Sequence, residues 1–383
     1  MFKLTDEQRD IQELIRSFAQ NEVAPLAAEI DEQSRFPAEN IEALANMGFM
    51  GICVPEEYGG AGMDEITKCL VIIELAKACA STAVIVDVHY LVSDIIMRMG
   101  NEEQKAKYLP LACEGKLGAF CLTEPGAGSD AGGLRTKAVK DGSDYIINGQ
   151  KCFITNCGPD EGEFFVVIAL TDSEKKTHGG MTAFLVDRSN PGLTVGKTEH
   201  KMGIHGSQTS EVILTDCRVP ESAILGNVGD GFKIAMMGLD GGRIGIASQA
   251  VGIAEGALAE AVKYANQREQ FGKPIATKQG LQWYIAEMAT RAEAAKMLVF
   301  EAAELRENNE NCTKVAAMAK LFAGEAACFV TDLALQIHGG YGYMKDYAIE
   351  RMYRDARITR IYEGTSEVQK MVISRIVMNE LNK

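Results

Sequence analysis

The segment GRIGIASQAVGIAEGALAEAVKYANQ (residues 242–267) has the pattern of one long helix, and it decides the fold class of the C-terminal part. Three segments of similar pattern follow it, at residues 281–308, 314–340 and 366–381. Long helices in succession, joined by short connections, are typical of a helical bundle. We therefore predict a C-terminal four-helix bundle domain over residues 229–383.

The residues before this bundle divide into a helical part and a β-rich part. The helical part begins with TDEQRDIQELIRSF (5–18), which opens with a capping box formed by Thr5 and Gln8 and has apolar residues on one helix face. Short β-rich runs separated by turn clusters follow; they are DYIING (144–149), FFVVIAL (164–170), GMTAFLVD (180–187) and EVILTDCRV (211–219). The expected fold is of the α+β class, with an N-terminal α-helical domain (1–117), a middle β domain (118–228) and the bundle.

The composition argues against several classes of function. The formal net charge of −14 opposes nucleic-acid binding, which depends on neutralising phosphates. No apolar run approaches the roughly 18 residues of a membrane span, and MFKLTDEQRD at the N-terminus has no signal or transit pattern. The ten cysteines include no C-x-x-C, and the five histidines show no ligand spacing. We expect a cytoplasmic protein with free thiols, no metal site and no membrane association.

Two stretches of the β-rich part have residues that suit a flat or phosphate-bearing ligand. AFCLTEPGAGSDAGG (119–133) contains G-x-G-x-x-A, but it leads into a strand and not into the helix of a dinucleotide-binding fold, so we interpret it as a glycine-rich loop. Its hydroxyls and backbone N–H groups can hold a polar ring edge or a phosphate. In KCFITNCG (151–158), Phe153 and Thr155 lie on the same side of a strand. Taken alone, a core phenylalanine is the commoner explanation of this pattern.

These stretches belong to a series of seven motifs that resembles the acyl-CoA dehydrogenases, most closely the short-chain, butyryl-CoA branch. In chain order the motifs are LTEPGAGSD, FITN, KMGIHGSQTSEVIL, GFKIAMMGLDGGRIG, QREQFGKPI, QIHGGYGY and RDARITRIYEGTSEVQ. The resemblance covers essentially the whole chain. It implies the three-domain fold predicted above, FAD as cofactor, an acyl-CoA substrate, an electron-transferring flavoprotein as partner and a homotetramer built as a dimer of dimers.

The resemblance also implies roles for individual residues. The residues that would bind FAD are Thr123, Ser129, Phe153, Thr155, Arg268, Phe271, Gln279, Gln336, Gly339, Gly340, Thr365 and Glu367. Phe153, where many relatives have Trp, would pack on the flavin, and the QIHGG residues would reach the FAD of a neighbouring subunit. Glu367 departs from the Gln that is common at its position. The residues that would contact the CoA ester are Ser129, Asp240, Arg243 and Gly364.

Glu363, in the motif IYEGT, matches the catalytic base of the family. In that role it would remove the α-proton of the thioester while a hydride leaves the β-carbon for flavin N5. Gly364 would permit close approach of the backbone to substrate, and the Glu363 N–H would polarise the thioester carbonyl. We expect an apolar pocket to raise the pKa of Glu363 toward neutrality. One branch of the family carries the base on the helix where this chain has Gly241 and Gly242, which favours Glu363.

The alternative for Glu363 is a surface glutamate just before a helix, where an acidic residue favours the N-terminal dipole. A second open question is Asp87 in STAVIVDVHYLVSDIIMRMG (81–100), which has no cation among its helical neighbours, whereas Asp94 has Arg98 one turn later. In the family this helix lines the far end of the acyl pocket. Asp87, with His89 or Tyr90, would then bind a polar group or act as a second acid or base. The structural alternative is a hydrogen-bonded or solvent-facing Asp87.

The first hypothesis is therefore an FAD-dependent short-chain acyl-CoA dehydrogenase that passes electrons to an electron-transferring flavoprotein. Within the same class, a dehydrogenase of a cyclic or functionalised thioester such as cyclohexanecarboxyl-CoA stays open, as does the physiological direction. Oxidases of the family are typically longer than this chain. A hypothesis from another class is a non-catalytic helical binding or scaffold protein, against which the intact TEPGAGSD, FITN and YEGT motifs argue.

Overall fold

The computed structural model describes residues 3–158 and 161–382, and its N-terminal part is helical as predicted. The helices are α1 (Asp6–Phe18), α2 (Ala24–Gln33), α3 (Ala38–Asn46), α4 (Glu65–Ala78), α5 (Ala80–Met99) and α6 (Glu102–Cys113). The capping box of α1 is confirmed, because Thr5 and Gln8 each accept a hydrogen bond from the backbone N–H of the other. One π-helical turn (Ala19–Val23) joins α1 to α2.

Helix α5 has the length and apolar composition of a membrane-crossing helix. The expectation that no apolar run comes near this length is therefore wrong for α5. However, 89% of its apolar window is buried inside the protein, where α5 packs against α4 and α6. A core helix surrounded by other elements needs apolar residues on every face, which explains the composition.

The middle part of the chain forms a mixed β-sheet, as the β-rich runs predict. Its strands are β1 (Leu117–Cys121), β2 (Lys137–Asp141), β3 (Asp144–Thr155), β4 (Gly162–Leu170), β5 (Met181–Asp187), β6 (Leu193–Thr198), β7 (Thr209–Pro220) and β8 (Ile224–Leu225). The order across the sheet is β6-β7-β3-β2-β4-β5-β8, and β1 pairs in parallel with β4. The register of β3 against β7 shifts between Lys151 and Ile154, which marks a bulge in β3.

The C-terminal part contains the four long helices that the sequence predicts. They are α7 (Gly231–Gln267), α8 (Gln279–Glu307), α9 (Thr313–His338) and, after the short α10 (Ala348–Ala356), α11 (Ser366–Leu381). A small hairpin of β9 (Glu269–Gln270) and β10 (Lys273–Pro274) joins α7 to α8. Helix α7 packs against α8 and α9 within this part and also against α4 and α5.

The hydrophobic core explains how these parts are held together. One buried cluster contains Ile15 of α1, Leu75 of α4, Val251 of α7 and Val330 of α9, so the two helical parts share a core. A second buried cluster joins α5, α6 and α7 to strands β4 and β5 of the sheet. Helices α5 and α7 therefore lie between the helical core and the sheet. The domain boundaries at residues 117 and 228 stay predictions.

Candidate active site

Glu363 lies in a tight turn between α10 and α11 whose backbone is held by buried side chains. Both Glu363 (φ 52°) and Gly364 (φ 89°) have left-handed backbone conformations. A side chain at position 364 would be strained at this φ, and its Cβ would lie 2.7 Å from Gln369 Nε2. Lys320 Nζ donates to the Gly364 carbonyl at 2.6 Å, and Gln369 Nε2 donates to the carbonyls of Glu363 (3.0 Å) and Gly364 (2.9 Å). These contacts fix the direction of the Glu363 side chain.

The carboxyl group of Glu363 packs against a glycine of α7. A Cβ built on Gly242 would lie 2.6 Å from Glu363 Oε2 and 2.7 Å from a methyl carbon of Leu91, so only glycine leaves room here. Glu363 Oε2 is buried and has no hydrogen-bond partner among the described residues. Burial raises the pKa of Glu363 to about 7, although the positive charges of Arg243 and Lys320 lower it. The expected shift toward neutrality is confirmed.

Asp87 forms a second buried carboxyl group on the same face of α7. A Cβ on Gly245, three residues beyond Gly242, would lie 1.7 Å from Asp87 Oδ1. Asp87 is 3% exposed, and its Oδ2 has no hydrogen-bond partner in the part of the chain that the structure describes. Burial and then the charge of Glu363 raise the pKa of Asp87 well above its usual value. Asp87 is therefore neither solvent-facing nor satisfied at both oxygens, and burial favours its neutral form.

The neighbours of Asp87 on α5 have contacts of their own. The Tyr90 hydroxyl donates to the Phe49 carbonyl at 2.5 Å, and His89 Nδ1 accepts from the Gly118 N–H at 3.4 Å. Asp94 pairs with Arg98 as the sequence predicts, and it also pairs with the buried Arg306 of α8. Among the side chains of Asp87, His89 and Tyr90, Asp87 Oδ2 and His89 Nε2 are buried without a hydrogen-bond partner among the described residues, whereas the Tyr90 hydroxyl is satisfied.

The bulge in β3 exposes the ring of Phe153. Phe153 has a left-handed backbone (φ 58°) and is 64% exposed, whereas Ile154 beside it is buried. Thr155, two residues further along β3, is partly exposed, and so is Thr123. The Cys152 N–H of β3 donates to the Thr123 carbonyl at 2.9 Å, which holds the loop of Thr123 beside the strand. An exposed aromatic ring and two partly exposed threonines therefore lie at this end of β3, and their role toward a flavin stays a prediction.

A buried ion pair holds the glycine-rich loop against the sheet beneath Phe153. Lys151 Nζ, which is fully buried, donates to Glu124 Oε1 at 2.8 Å and to the Leu122 carbonyl at 3.1 Å. Glu124 also accepts from the backbone N–H groups of Arg135 (2.6 Å) and Thr136 (3.0 Å). The pKa of Glu124 lies below its usual value because Lys151 and these donors outweigh the effect of burial. The loop that carries Thr123 is thus positioned by a charge pair that excludes solvent.

The end of β3 also contacts the helix that carries Asp87. Asn156 is buried with a left-handed backbone (φ 62°), and its Nδ2 donates to the Ile85 carbonyl of α5 at 2.9 Å. Since Ile85 lies two residues before Asp87, the exposed edge of β3 lies close to the pair of carboxyl groups along α7. The structure therefore places the end of β3 against α5, two residues from Asp87 along that helix.

A different group of predicted residues lies at the far end of α7. Arg268, Gly339 and Gly340 line a cavity of about 530 Å³ together with Tyr264, Gln270 and Met344, among others. Phe271 is 92% exposed, and Gln279 and Gln336 are also exposed. This end of α7 lies roughly 30 Å along the helix from Gly245. In a single chain, the predicted FAD residues therefore form two separate surfaces.

The remaining predicted residues lie on α7, on the glycine-rich loop and at the start of α11. Asp240 pairs with the buried Arg243 (2.7 Å) and accepts from the Thr313 hydroxyl (2.7 Å). Thr365 caps α11 by accepting from the Val368 N–H (3.3 Å). Ser129 and Glu367 are exposed.

Family models cover nearly the whole chain. The N-terminal domain of acyl-CoA dehydrogenase matches residues 5–116, the middle domain matches residues 119–217 and the C-terminal domain matches residues 229–378. The order and extent of these matches agree with the three parts of the structure.

The chain belongs to the acyl-CoA dehydrogenase family.

Similar proteins of this family cover the chain end to end. An acryloyl-CoA reductase (NADH) of Anaerotignum propionicum is 53% identical over 98% of this chain and 96% of its own length. The structure of butyryl-CoA dehydrogenase from Megasphaera elsdenii is 46% identical, with a TM-score of 0.96, over 99% of this chain and 100% of that chain. A chain from work on the electron transferring flavoprotein of Acidaminococcus fermentans and flavin-based electron bifurcation is 47% identical, with a TM-score of 0.96, over 98% of this chain and 99% of that chain.

This acyl-CoA dehydrogenase is an FAD-dependent oxidoreductase that acts on CH–CH bonds. The hypothesis of a non-catalytic scaffold is therefore not supported. The structure fits a flavin, because the exposed Phe153 ring offers a flat face and the partly exposed Thr123 and Thr155 offer hydroxyls beside it. When bound there, FAD supplies the acceptor for the hydride that leaves the substrate.

Sequence reasoning missed several residues of the site in this dehydrogenase. Lys320, Gln369, Lys151 and Asn156 were assigned no role, although each is buried and holds a part of the site. One signal was available for Lys320, which is a charged residue inside the small, apolar pattern AAMAKLFAG. A lysine that is buried on such a helix needs a partner.

Proposed function

We propose that the chain catalyses the α,β-dehydrogenation of a short-chain acyl-CoA of the butyryl-CoA type to the 2-enoyl-CoA, with Glu363 as the base. One observation carries this proposal: the Glu363 carboxyl is buried against Gly242, has a pKa of about 7 and has an Oε2 without a partner among the described residues. A general base is most effective when its pKa lies near the working pH. A free oxygen can accept a proton without first losing a hydrogen bond.

Glu363 accepts the proton from the α-carbon, and the electrons of that C–H bond form the new C=C bond. The β-hydrogen leaves with its bonding electrons as a hydride, for which FAD would supply the acceptor. The Glu363–Gly364 turn keeps the carboxyl at one place, because Lys320 and Gln369 hold its carbonyls. The burial of the Glu363 carboxyl keeps water away from it, and this water would otherwise stabilise the charged carboxylate and weaken it as a base.

The similar proteins support the acyl class and the electron partner. One is a butyryl-CoA dehydrogenase, and another is described in work on an electron transferring flavoprotein, so we propose that electrons pass to such a flavoprotein in the cytoplasm. A third is an acryloyl-CoA reductase, which adds hydrogen to a C=C bond. The same carboxyl that takes the α-proton returns it in the reverse reaction. Glu363 therefore serves either direction.

We propose that the chain forms a homotetramer, and the two separate surfaces support the association of copies that this requires. Gly245, the glycine of α7 beside Asp87, lies roughly 30 Å along the helix from Arg268, which lines a cavity together with Gly340. We propose that a second copy brings its Arg268 surface to the flavin site, together with Phe271, Gln279, Gln336 and Gly339. Exposed apolar side chains on α8 and α11, such as Trp283 and Met371, support such association.

Anaerobic reduction of the bound flavin tests the proposed function. The purified holoenzyme is mixed without oxygen with butyryl-, hexanoyl-, isobutyryl- and cyclohexanecarboxyl-CoA, and the loss of flavin absorbance is followed. We expect butyryl-CoA to bleach the flavin fastest. A preparation without FAD, or a flavin that stays oxidised with every thioester, would contradict the proposal.

The pH dependence of this reaction provides a second prediction. Because Glu363 acts only when deprotonated and its pKa is raised to about 7, kcat/KM for butyryl-CoA should increase as the pH rises through about 7 and should fall below it. The measurement is flavin reduction by limiting butyryl-CoA between about pH 5 and pH 9. A profile that is flat over this range would exclude Glu363 as the base that titrates.

A second candidate substrate is an acyl-CoA with a ring or a polar group on its acyl chain. The buried Asp87 favours it, because its Oδ2 lacks a partner among the described residues and its raised pKa favours the neutral form, which can donate a hydrogen bond. Asp87 contacts α7 one turn beyond the glycine that Glu363 contacts. A group on the acyl chain that reaches past the β-carbon would meet this carboxyl.

Replacing Asp87 by alanine tests this candidate. If Asp87 holds a group of the acyl chain, Asp87→Ala should lower the kcat/KM for the cyclic thioester relative to butyryl-CoA by about tenfold. Ser93→Ala is the matched control, since Ser93 is buried on the same helix and donates only to the His89 carbonyl within it. Unchanged ratios across linear and cyclic thioesters in Asp87→Ala would assign Asp87 a structural role.

A further inference from the structure

Lys320 is a buried lysine beside the proposed base, and no role in the reaction has been assigned to it. It lies on α9 and is 1% exposed. Its Nζ donates to the carbonyl of Gly364, at 2.6 Å, in the turn that carries Glu363. A buried ammonium group is costly unless it is paired and hydrogen-bonded. The position of this charge therefore needs an explanation.

The turn needs such a partner because of its backbone. Glu363 has a left-handed φ of 52°, which a residue with a Cβ adopts only when its surroundings hold it there. Two side chains from different helices do so: Gln369 of α11 donates to the carbonyls of Glu363 and Gly364, and Lys320 of α9 donates to that of Gly364. Lys320 thus links the turn to α9, a helix that lies outside the segment between α10 and α11.

The charges around the two groups favour an ionic role as well. Arg243 of α7 and Lys320 of α9 face the Glu363 carboxylate as cations, and Asp87 of α5 faces it as an acid. Lys320 itself also faces Glu367, Arg360 and Arg243. Burial lowers the pKa of Lys320 to about 8, which leaves it mainly cationic at pH 7.

Arg243 and Lys320 differ in what else they bind. Arg243 has the larger effect on the pKa of Glu363, but its guanidinium pairs with Asp240 at 2.7 Å. Lys320 instead donates its hydrogen bond to a neutral carbonyl. The positive charge of Lys320 is therefore not offset by a paired carboxylate, as that of Arg243 is by Asp240. Lys320 is also the cation that touches the turn itself.

We propose that Lys320 is a positioning residue for the base, whose buried ammonium holds the Glu363–Gly364 turn and supplies a positive charge to the Glu363 carboxylate. This inference rests on the proposed function of Glu363. Lys320 neither contacts the reacting atoms nor exchanges a proton with the substrate. It acts through Glu363.

Three substitutions separate the two parts of this role. Lys320→Arg keeps the charge, Lys320→Gln keeps a donor for the Gly364 carbonyl without the charge, and Lys320→Met removes both. Lys314→Met is the matched control, because Lys314 lies on the same helix and pairs with Glu380 of α11 at the surface. The holoenzyme is titrated without substrate by infrared difference spectroscopy, and the Glu363 carboxyl band is assigned as the one that Glu363→Gln removes.

Loss of the charge should raise the midpoint of the Glu363 titration by about one pH unit in Lys320→Gln and Lys320→Met, since an opposite charge nearby favours the ionised form. Lys320→Arg and Lys314→Met should titrate like the unmodified protein. The same shift should appear in the pH profile of flavin reduction, with a larger loss of kcat in Lys320→Met than in Lys320→Gln.

The inference would be overturned if Glu363 titrated with the same midpoint in Lys320→Gln as in the unmodified protein. The Lys320→Gln variant alone is sufficient for this test if Lys320→Met does not fold. The infrared titration needs no turnover. A failure of butyryl-CoA to reduce the flavin would therefore count against the proposed function, whereas an unmoved carboxyl band would count against Lys320 alone.

Discussion

Replacing Glu363 by glutamine should lower the rate of flavin reduction by butyryl-CoA about 10²–10⁴-fold, the range that general base catalysis contributes. Glutamine has nearly the same shape and fits against Gly242, where a larger side chain would collide. Because an amide cannot accept the α-proton, the chemical step is lost while FAD and the CoA ester still bind. The measurement is anaerobic flavin bleaching together with the FAD content of the purified variant.

Glu380→Gln is a suitable control, because Glu380 lies on α11 and forms a surface ion pair with Lys314. It makes the same chemical change on the helix that follows the turn, and its rate should equal that of the unmodified protein. Near-normal reduction in Glu363→Gln would falsify the assignment of Glu363 as the base. Loss of FAD from Glu363→Gln would show that Glu363 is needed for the cofactor and not only for proton transfer.

The largest expected effect on stability comes from Lys151→Met. Lys151 is fully buried and pairs with Glu124 at 2.8 Å, so its removal leaves a buried carboxylate without a cation. Breaking a buried pair on one side costs about 3–5 kcal/mol. The N–H groups of Arg135 and Thr136 still bond Glu124, so we expect a loss near the lower end, about 3 kcal/mol in the free energy of unfolding.

The same substitution should weaken FAD binding. Lys151 also donates to the Leu122 carbonyl, next to Thr123 on the loop that faces Phe153. Denaturant unfolding and the release of FAD are measured on Lys151→Met and on Lys140→Met. The latter removes an exposed ion pair with Glu221 in the same sheet and should cost less than about 1 kcal/mol. Equal stability of the two variants would mean that the buried pair contributes no more than the exposed one.

The sequence could predict the elements of the fold because their signals are local. The capping box of α1 joins residues three positions apart, and β4 and β5 are predicted by short runs of consecutive apolar residues. The same local reasoning missed that α5 has the length and apolar composition of a membrane span. Only the burial of α5 in the folded protein shows that it is a core helix.

The candidate site divides in the same way. Glu363, Thr123 and Phe153 could be found because each lies in a short motif. Lys320 and Gln369 could not, since lysine and glutamine are ordinarily surface residues of a helix. Both donate hydrogen bonds to carbonyl groups of a turn, and for Lys320 the bonded carbonyl lies 44 positions further along the chain. The bulge that exposes Phe153 depends on how β3 pairs with β7.

The sequence alone determined the order of helices, strands and helices, the family, and the identity of the acidic residue in IYEGT. It could do so because periodicity, capping and short motifs depend on residues that are near neighbours in the chain. Tertiary structure alone decided that Asp87 and Glu363 meet adjacent turns of α7 and that Lys320 faces Glu363. The protonation of these groups depends on desolvation and on charges from other helices, and neither exists until the chain has folded around them.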